Sequence, residues 1–171
     1  MEKNAAVVRY SEIGTKSNKV RKDMVATLRQ RVEDRLDFEE ISYEKVSVRE
    51  GRIVARTEDA EEAAENIKNL PGVETVSPAI ETEPDMEAIK KASKQFSYGE
   101  TFGVRPNTGE TDLSSRDIGK EIGAYVEDFS GASVDLDNPD TELGVDVRRD
   151  RAYVFTERIQ GPGGFPVGSQ G

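Results

Sequence analysis

Two kinds of hydrophobic spacing, one typical of helices and one typical of strands, alternate over the first 80 residues. The order in which they follow one another restricts the folds that the chain can adopt. Apolar residues recur every three or four positions between Val20 and Leu36, which is the period of an amphipathic helix. A second helical stripe runs from Ala60 to Leu70. Short runs typical of strands surround the two helices, at residues 5–8, 41–48, 53–55 and 73–80.

These segments follow the order strand, helix, strand, strand, helix, strand, which is the βαββαβ order of ferredoxin-like folds. Glu50-Gly51 turns the chain between the two middle strands. We expect Ser17 or Asn18 to cap the first helix and Thr57 to cap the second, because short polar side chains accept hydrogen bonds from helix N-termini. Residues 1–80 are therefore predicted to form an N-terminal ferredoxin-like domain.

The pattern starts again after residue 80, which predicts a second domain of α/β type over residues 81–160. Pro84 suits the first position of a helix. Residues 114–117 resemble the capped start of another helix, which Gly131 ends. The fold class we expect is therefore α+β, with the ferredoxin-like domain followed by the α/β domain.

Three segments of the second domain are typical of strands. Residues 101–105 predict a strand that ends in an exposed turn at Pro106-Asn107-Thr108-Gly109. Apolar residues alternate with polar ones over 142–148, the pattern of a half-buried strand, and a turn at Arg149-Asp150 leads to a partner strand over 152–155. Glycine and proline then dominate residues 161–171, which excludes helix and strand interior. We predict a shaped connector there, formed by Gly163, Gly164, Phe165 and Pro166.

Several of these segments resemble the THUMP domain of the tRNA 4-thiouridine synthases, also called tRNA sulfurtransferases, which serve thiamine thiazole synthesis in some organisms. The segments are residues 137–140, 145–148, 153–156 and 163–170. Residues 9–18 are similar to the opening strand and turn of the same family. The resemblance covers essentially the whole chain, and the ATP-binding PP-loop domain that follows in the family is not among these 171 residues.

The resemblance implies a tRNA-binding module that recognises the 3′ end of the acceptor stem. It would position tRNA for uridine 4-thiolation by the PP-loop domain, the only part for which ATP and Mg²⁺ are implied. The expected partners are tRNA, the PP-loop domain in cis and a second copy of the chain in a homodimer. The connector would pack the RNA-binding part against the catalytic part.

A stand-alone adaptor is the alternative function that the sequence leaves open. Such a protein would deliver tRNA in trans to a separate methyltransferase or acetyltransferase. An independent enzyme is disfavoured, because the chain has no cysteine, no histidine and no Walker-type phosphate loop. We expect no catalytic residue and no cofactor in this chain, and no activity from it alone.

The net charge of −10 is unusual for a nucleic-acid binder, since such proteins normally present a basic surface. One interpretation is that the protein binds no nucleic acid. The other is a halophilic source, whose surplus carboxylates keep the surface hydrated at high salt. No apolar run approaches eighteen residues and no signal peptide is evident at the N-terminus, so we expect a cytoplasmic protein without a membrane partner.

The most basic stretch, residues 16–35, has seven basic residues against three acidic ones, a net charge of +4. Its cations crowd a helix N-terminus, where backbone N–H groups already favour an anion. A phosphate contact is one interpretation and a solvated helix face is the other. The RNA-binding candidates here are Lys16, Asn18, Lys19, Arg21 and Lys22.

Further RNA-binding candidates lie in the second domain, namely Arg105, Asn107, Thr108, Arg149 and Arg151. In the resembled family more basic residues follow the strand-end arginine, whereas residues 106–109 carry no charge here, so a polar turn is the competing interpretation. Asp135, Asp137 and Asp140 fail the EF-hand pattern, because the required glycine and final glutamate are missing. We therefore expect no metal site.

Overall fold

The structure is a computed structural model that describes residues 2–11 and 17–164 of the 171-residue chain. It divides into two compact units. Of the described residues, the first unit contains 3–11, 17–78 and 158–164, and the second contains residue 2 and residues 79–157.

Four helices and nine strands occur in the described part of the chain. In chain order they are β1 (Ala5–Tyr10), α1 (Asn18–Phe38), β2 (Lys45–Arg49), β3 (Arg52–Arg56), α2 (Ala60–Ile67), β4 (Val73–Thr82), α3 (Met86–Ser93), β5 (Thr101–Thr108), α4 (Ser115–Ser130), β6 (Ser133–Val134), β7 (Thr141–Val147), β8 (Ala152–Phe155) and β9 (Ile159–Gln160).

The first unit confirms the ferredoxin-like order. Its strands lie in the order β2-β3-β1-β4, with β1 and β2 both antiparallel to β3. The helical stripes predicted from the sequence form the core: Leu28, Val32 and Leu36 of α1 and Ile67 of α2 pack with apolar strand residues such as Ile53. Burial of these side chains stabilises the unit by roughly 1.5–3 kcal/mol each.

Helix starts in the first unit follow local hydrogen bonds that the sequence located only in part. Ser17 caps α1 as predicted, because its hydroxyl accepts from the Val20 N–H over 3.2 Å. The prediction for Thr57 was wrong, since Asp59 is the N-cap residue of α2. The Thr57 hydroxyl instead accepts from the Asp59 N–H over 3.0 Å and donates to the Ser42 carbonyl over 2.6 Å, which fixes the preceding turn.

The hairpin between β2 and β3 turns at the predicted place. Glu50 and Gly51 both have positive φ, 41° and 85°, as a two-residue turn between right-twisted strands requires. The strand before it is shorter than expected. β2 begins at Lys45 rather than at residue 41, and Ile41 packs into the core from a loop.

The second unit has a mixed sheet in the order β4-β8-β7-β5-β6. β5 and β7 are parallel, with α4 as the connection, and β7 and β8 form the antiparallel hairpin predicted from the sequence. Ile118, Ile122 and Val126 of α4 pack against apolar residues of these strands. Ser114 caps α4 and Gly131, with φ of 78°, ends it, both as predicted.

Two local predictions in this unit were wrong. Residues 106–108 belong to β5 and pair with β7, with Pro106 opposite Val145. Proline fits there because β6 pairs only with Thr101 and Phe102, so the rest of β5 is an open edge on that side. Pro84 also precedes its helix: Asp85 is the N-cap of α3, and its carboxylate accepts from the Ala88 N–H over 2.8 Å.

β7 is buried on both faces rather than half-buried. All of residues 143–147 are buried, including Gly144 and Asp146. A Cβ on Gly144 would lie 2.2 Å from ring atoms of Phe155, so the alternation reflects a close ring contact on the second face and not exposure to water. Period-two patterning therefore identified the strand but not its environment.

The glycine-rich segment returns to the first unit, where it adds β9 to the edge of β4. Ile159 and Gln160 are the register partners of Val76 and Thr75. Gly161 N donates to Glu74 O over 2.9 Å, and Gly163 exchanges backbone hydrogen bonds of 2.8 Å with Val73 and Gly72. Gly163 and Gly164 have positive φ, 66° and 78°, a conformation that glycine adopts without steric cost. Phe165 and Pro166 lie outside the described residues.

Candidate nucleic-acid interface

The start of α1 differs in charge from the start of every other described helix. The first turns of α2, α3 and α4 contain Glu61 and Glu62, Glu87 and Asp117, which complement the helix dipole. The first turn of α1 has no acidic residue. Lys19, Arg21 and Lys22 occupy this end instead, so three cations add to the positive end of the dipole.

A groove of about 460 Å³ runs beside these cations within the first unit, and we call it the α1 groove. Its lining residues are Tyr10, Asn18, Arg21, Lys22, Val25, Ala26, Arg29 and Val48. Tyr10 is half-buried, and burial raises the pKa of its phenol while the charge of Arg52 opposes that rise. The phenol therefore stays neutral at physiological pH and offers an aromatic surface among cations.

The cations at the start of α1 and in the α1 groove differ in their partners within the protein. The Asn18 side-chain oxygen accepts from Arg21. Arg29 donates to Glu33 over 2.8 Å, to the Gln30 side-chain oxygen over 3.2 Å and to the Val46 carbonyl over 3.4 Å. Lys19 and Lys22 are exposed, and among residues 2–11 and 17–164 no carboxylate lies within ion-pair distance of either. The structure thus brings Asn18, Arg21 and Lys22 to one groove, while Lys16 lies outside the described residues.

The candidate arginines of the second unit are all held by oxygen atoms of the protein. Arg105 Nη2 donates to the Leu136 carbonyl over 2.6 Å and to Glu142 over 3.2 Å, so its side chain braces the loop before β7. β5 continues beyond Arg105, which therefore does not end the strand as predicted.

The hairpin arginines are paired as well. Arg149 pairs with Glu110, and Arg151 lies 2.7 Å from Glu83 and 3.8 Å from Glu81. The side chains of Arg149 and Glu110 are 64% and 68% exposed, and such exposed pairs contribute roughly 0–1 kcal/mol each. A phosphate can therefore compete for Arg149, but it must first displace a carboxylate.

Asn107 and Thr108 lie at the carboxyl end of β5. The Thr108 and Ser115 hydroxyls are 3.3 Å apart, which joins this strand end to the start of α4. Asn107 is exposed, and its side-chain oxygen accepts from Arg148 over 3.3 Å. The sequence places Arg148 with Arg149 and Arg151 at one hairpin tip, and its different pairing was not predicted. The signal available was the spacing Asp146-Val147-Arg148, which puts the two charges on one face of a strand.

The acidic cluster of the second unit has a structural role. One Asp135 oxygen accepts from the N–H groups of Asp137 and Asn138, both over 3.1 Å. Asp140 accepts from the N–H groups of Glu100 and Thr101 over 2.8 and 3.1 Å. Within the described ranges no group of three or more acidic side chains is placed to hold a metal ion.

None of the four described helices combines the length and the apolar character that crossing a bilayer demands.

Comparison with protein families gives two adjoining matches. A model described as the ThiI ferredoxin-like domain matches residues 5–77, and a model described as the THUMP domain matches residues 83–157. The two matches therefore fall on the first and second units.

Known relatives cover almost the entire chain. A protein described as a probable tRNA sulfurtransferase of Thermococcus kodakarensis is 35% identical over an alignment of 179 residues. The alignment covers 98% of this chain and 47% of the relative. The crystal structure of PH1313 from Pyrococcus horikoshii has a TM-score of 0.89 at 32% identity and matches 98% of this chain and 58% of that one.

A structure described as a 4-thiouridine synthetase–RNA complex with bound ATP has a TM-score of 0.78 at 32% identity. It matches 99% of this chain and 45% of its own length. The chain thus spans about half the length of the curated relatives it matches.

Proposed function

The chain carries the ThiI ferredoxin-like domain and the THUMP domain of the tRNA sulfurtransferase family, to which it belongs, and from this premise we propose that it binds tRNA. A related protein of similar fold is described in complex with RNA. RNA binding by this chain needs a surface that attracts phosphate in spite of the net charge of −10.

The α1 groove is the observation that carries the proposal. It combines three cations, of which Lys22 is exposed, with a helix N-terminus without acidic residues and a neutral aromatic side chain. Phosphates gain from the cations and from the helix dipole together. An aromatic ring or an apolar side chain such as Val48 adds contact area for ribose or base, which does not depend on charge.

The finer proposal is that the chain recognises the 3′ end of the acceptor stem and positions tRNA for uridine 4-thiolation by a PP-loop domain, in cis or as a separate enzyme. The 35% identity to a probable tRNA sulfurtransferase, in an alignment that covers 98% of this chain, supports this proposal. A-form RNA is read mainly through its backbone, its 2′-hydroxyls and its ends, so a shape-reading surface needs few base contacts. ATP and Mg²⁺ would serve the PP-loop domain alone.

The test is a titration of the chain with whole tRNA and with an acceptor-stem minihelix, each with and without the single-stranded 3′ tail. We expect whole tRNA and the tailed minihelix to bind with similar affinity and removal of the tail to weaken both. Binding to neither RNA at any salt concentration would reject the proposed function. Equal binding with and without the tail would reject recognition of the 3′ end while keeping RNA binding.

A further inference from the structure

Asp146, Arg148 and Asn107 lie together at one end of the β5–β7 strand pair. Asn107 and Asp146 are register partners, and Arg148 follows Asp146 by two residues, so the three side chains share one face of the sheet. Arg148 Nε donates to Asp146 Oδ1 over 2.9 Å, and its Nη2 donates to Asn107 Oδ1 over 3.3 Å.

Burial separates Arg148 from the other hairpin arginines. The Arg148 side chain is 14% exposed and that of Asp146 is 2% exposed. A pair buried to this degree is held in one geometry, because removing either charge would leave the other unpaired away from water. Arg148 is therefore poorly placed to leave Asp146 for a phosphate, whereas the exposed Asn107 is accessible to a ligand.

The contact with Arg148 fixes the direction of the Asn107 amide. A guanidinium group has only hydrogen-bond donors, so the amide atom that faces it must be the oxygen. The NH₂ group of Asn107 consequently points away from Arg148, at the exposed end of β5.

We infer that Asn107 donates a hydrogen bond to an acceptor oxygen of the RNA backbone and that Arg148 is the residue that positions it. This inference rests on the proposed RNA-binding function and adds to it a specific donor and its support. The acceptor is a phosphate oxygen or a ribose 2′-oxygen, since both lie on the outside of an RNA strand. Arg148 acts through Asn107 and does not itself touch the RNA.

Gly109 provides the space that this arrangement needs. A Cβ on Gly109 would lie 2.3 Å from Arg148 Nη1 and 2.9 Å from its Cδ. The backbone of Gly109 lies outside the left-handed region, so alanine is compatible with its conformation. Gly109→Ala therefore displaces the Arg148 guanidinium from Asn107 without removing any polar group.

The experiment measures affinity for the tailed minihelix in the wild-type chain and in Asn107→Ala, Arg148→Lys, their double variant and Gly109→Ala. Lysine keeps a positive partner for Asp146, so the fold is preserved, but it lacks the second nitrogen that reaches Asn107. Arg116→Lys, at the exposed start of α4, is the matched control. Thermal unfolding of each variant confirms that it is folded.

We expect Asn107→Ala to weaken binding about tenfold, because a hydrogen bond to a charged or polar RNA oxygen is lost. Arg148→Lys and Gly109→Ala should weaken it by about threefold, and Arg116→Lys should leave it unchanged. The double variant should bind no more weakly than Asn107→Ala, because Arg148 has nothing left to position. A 2′-deoxy minihelix distinguishes the two acceptors. If Asn107 donates to a phosphate, Asn107→Ala weakens binding of the 2′-deoxy minihelix as well. If it donates to a 2′-oxygen, Asn107→Ala has no effect on binding of that minihelix.

The inference would be overturned if the double variant lost affinity for the minihelix by the sum of the two single effects. It would also be overturned if Arg148→Lys weakened binding while Asn107→Ala bound as tightly as the wild type. Wild-type affinity in Asn107→Ala would also overturn it. A wild-type chain that fails to bind the minihelix rejects the proposed function itself, which is a distinguishable result.

Discussion

The lysines at the start of α1 and the candidate arginines of the second unit differ in whether a carboxylate is paired with them. At the start of α1, Lys19 and Lys22 have no carboxylate within ion-pair distance among the described residues. In the second unit, Arg105, Arg149 and Arg151 each pair with a glutamate. A count of basic residues therefore does not locate an RNA-binding surface in an acid-rich chain. What matters is whether a phosphate must displace a carboxylate before it can bind.

The largest effect is expected from Gly144→Ala, which damages the second unit and leaves the α1 groove untouched. Its Cβ would lie 2.2 Å from the Phe155 ring, and overpacking of this kind costs about 1–3 kcal/mol. Urea unfolding followed by circular dichroism should show that loss. Gly123→Ala is the control, because nothing lies within 4 Å of its Cβ and alanine favours helix by about 1 kcal/mol.

Gly144→Ala also tests whether the α1 groove attracts RNA by itself. We expect low-salt binding of the minihelix to persist in part, since the first unit has its own core. Abolished binding in a variant whose first unit remains folded would show that the second unit supplies most of the affinity. The second unit, and not the start of α1, would then be the main RNA-binding surface, contrary to what the ion pairs indicate.

The next largest effect is expected from Lys19→Glu combined with Lys22→Glu. Two reversed charges beside a helix N-terminus should weaken tRNA binding by about 30-fold at low salt, and less as salt screens the charges. Filter binding measures the loss. Lys91→Glu combined with Lys94→Glu makes the same charge change on exposed residues of the second unit and should have little effect. Equal losses in the two variants would mean that net charge, and not the α1 groove, controls binding.

The smallest effect is expected from Glu110→Gln combined with Glu83→Gln, which releases Arg149 and Arg151 from their glutamate partners at those positions. Because exposed pairs are weak, affinity for tRNA should rise only about threefold at low salt and should return to the wild-type value at high salt. Glu121→Gln, on the exposed side of α4, is the control, because it also neutralises a glutamate but leaves the Ser114 cap of α4 in place. Unchanged affinity would mean that Arg149 does not face the RNA, whereas Arg151 keeps Glu81 as a partner in this variant.

Sequence reasoning located the fold because the strongest signals were local and repeated. The α1 stripe, the Glu50-Gly51 turn and the Ser17 cap each depend on residues a few positions apart. The predictions that failed depend on distant partners. Pro106 fits a strand because one side of β5 is unpaired, and Gly144 is buried because the Phe155 ring covers it.

The candidate site was predictable in composition but not in pairing. The basic stretch of α1 is visible in the sequence, and the structure places Asn18, Arg21 and Lys22 at one groove. The difference between Arg148 and Arg149 is not visible, since the two are adjacent in the chain. It arises from strand register, which places Asp146 beside Asn107, so that Arg148 contacts both. Arg149 pairs with Glu110 instead. Whether any of these residues contacts RNA stays a prediction.

β9 makes the first unit discontinuous in the chain, and this affects the order of folding during translation. The ribosome completes the six main elements of that unit at Thr82. The edge of β4 acquires Ile159 and Gln160 only after synthesis has continued from residue 82 to residue 160. The edge of β4 in the first unit therefore stays unpaired while the second unit is synthesised. A nascent chain arrested before Ile159 should remain more sensitive to proteolysis along β4 than a released chain that contains β9.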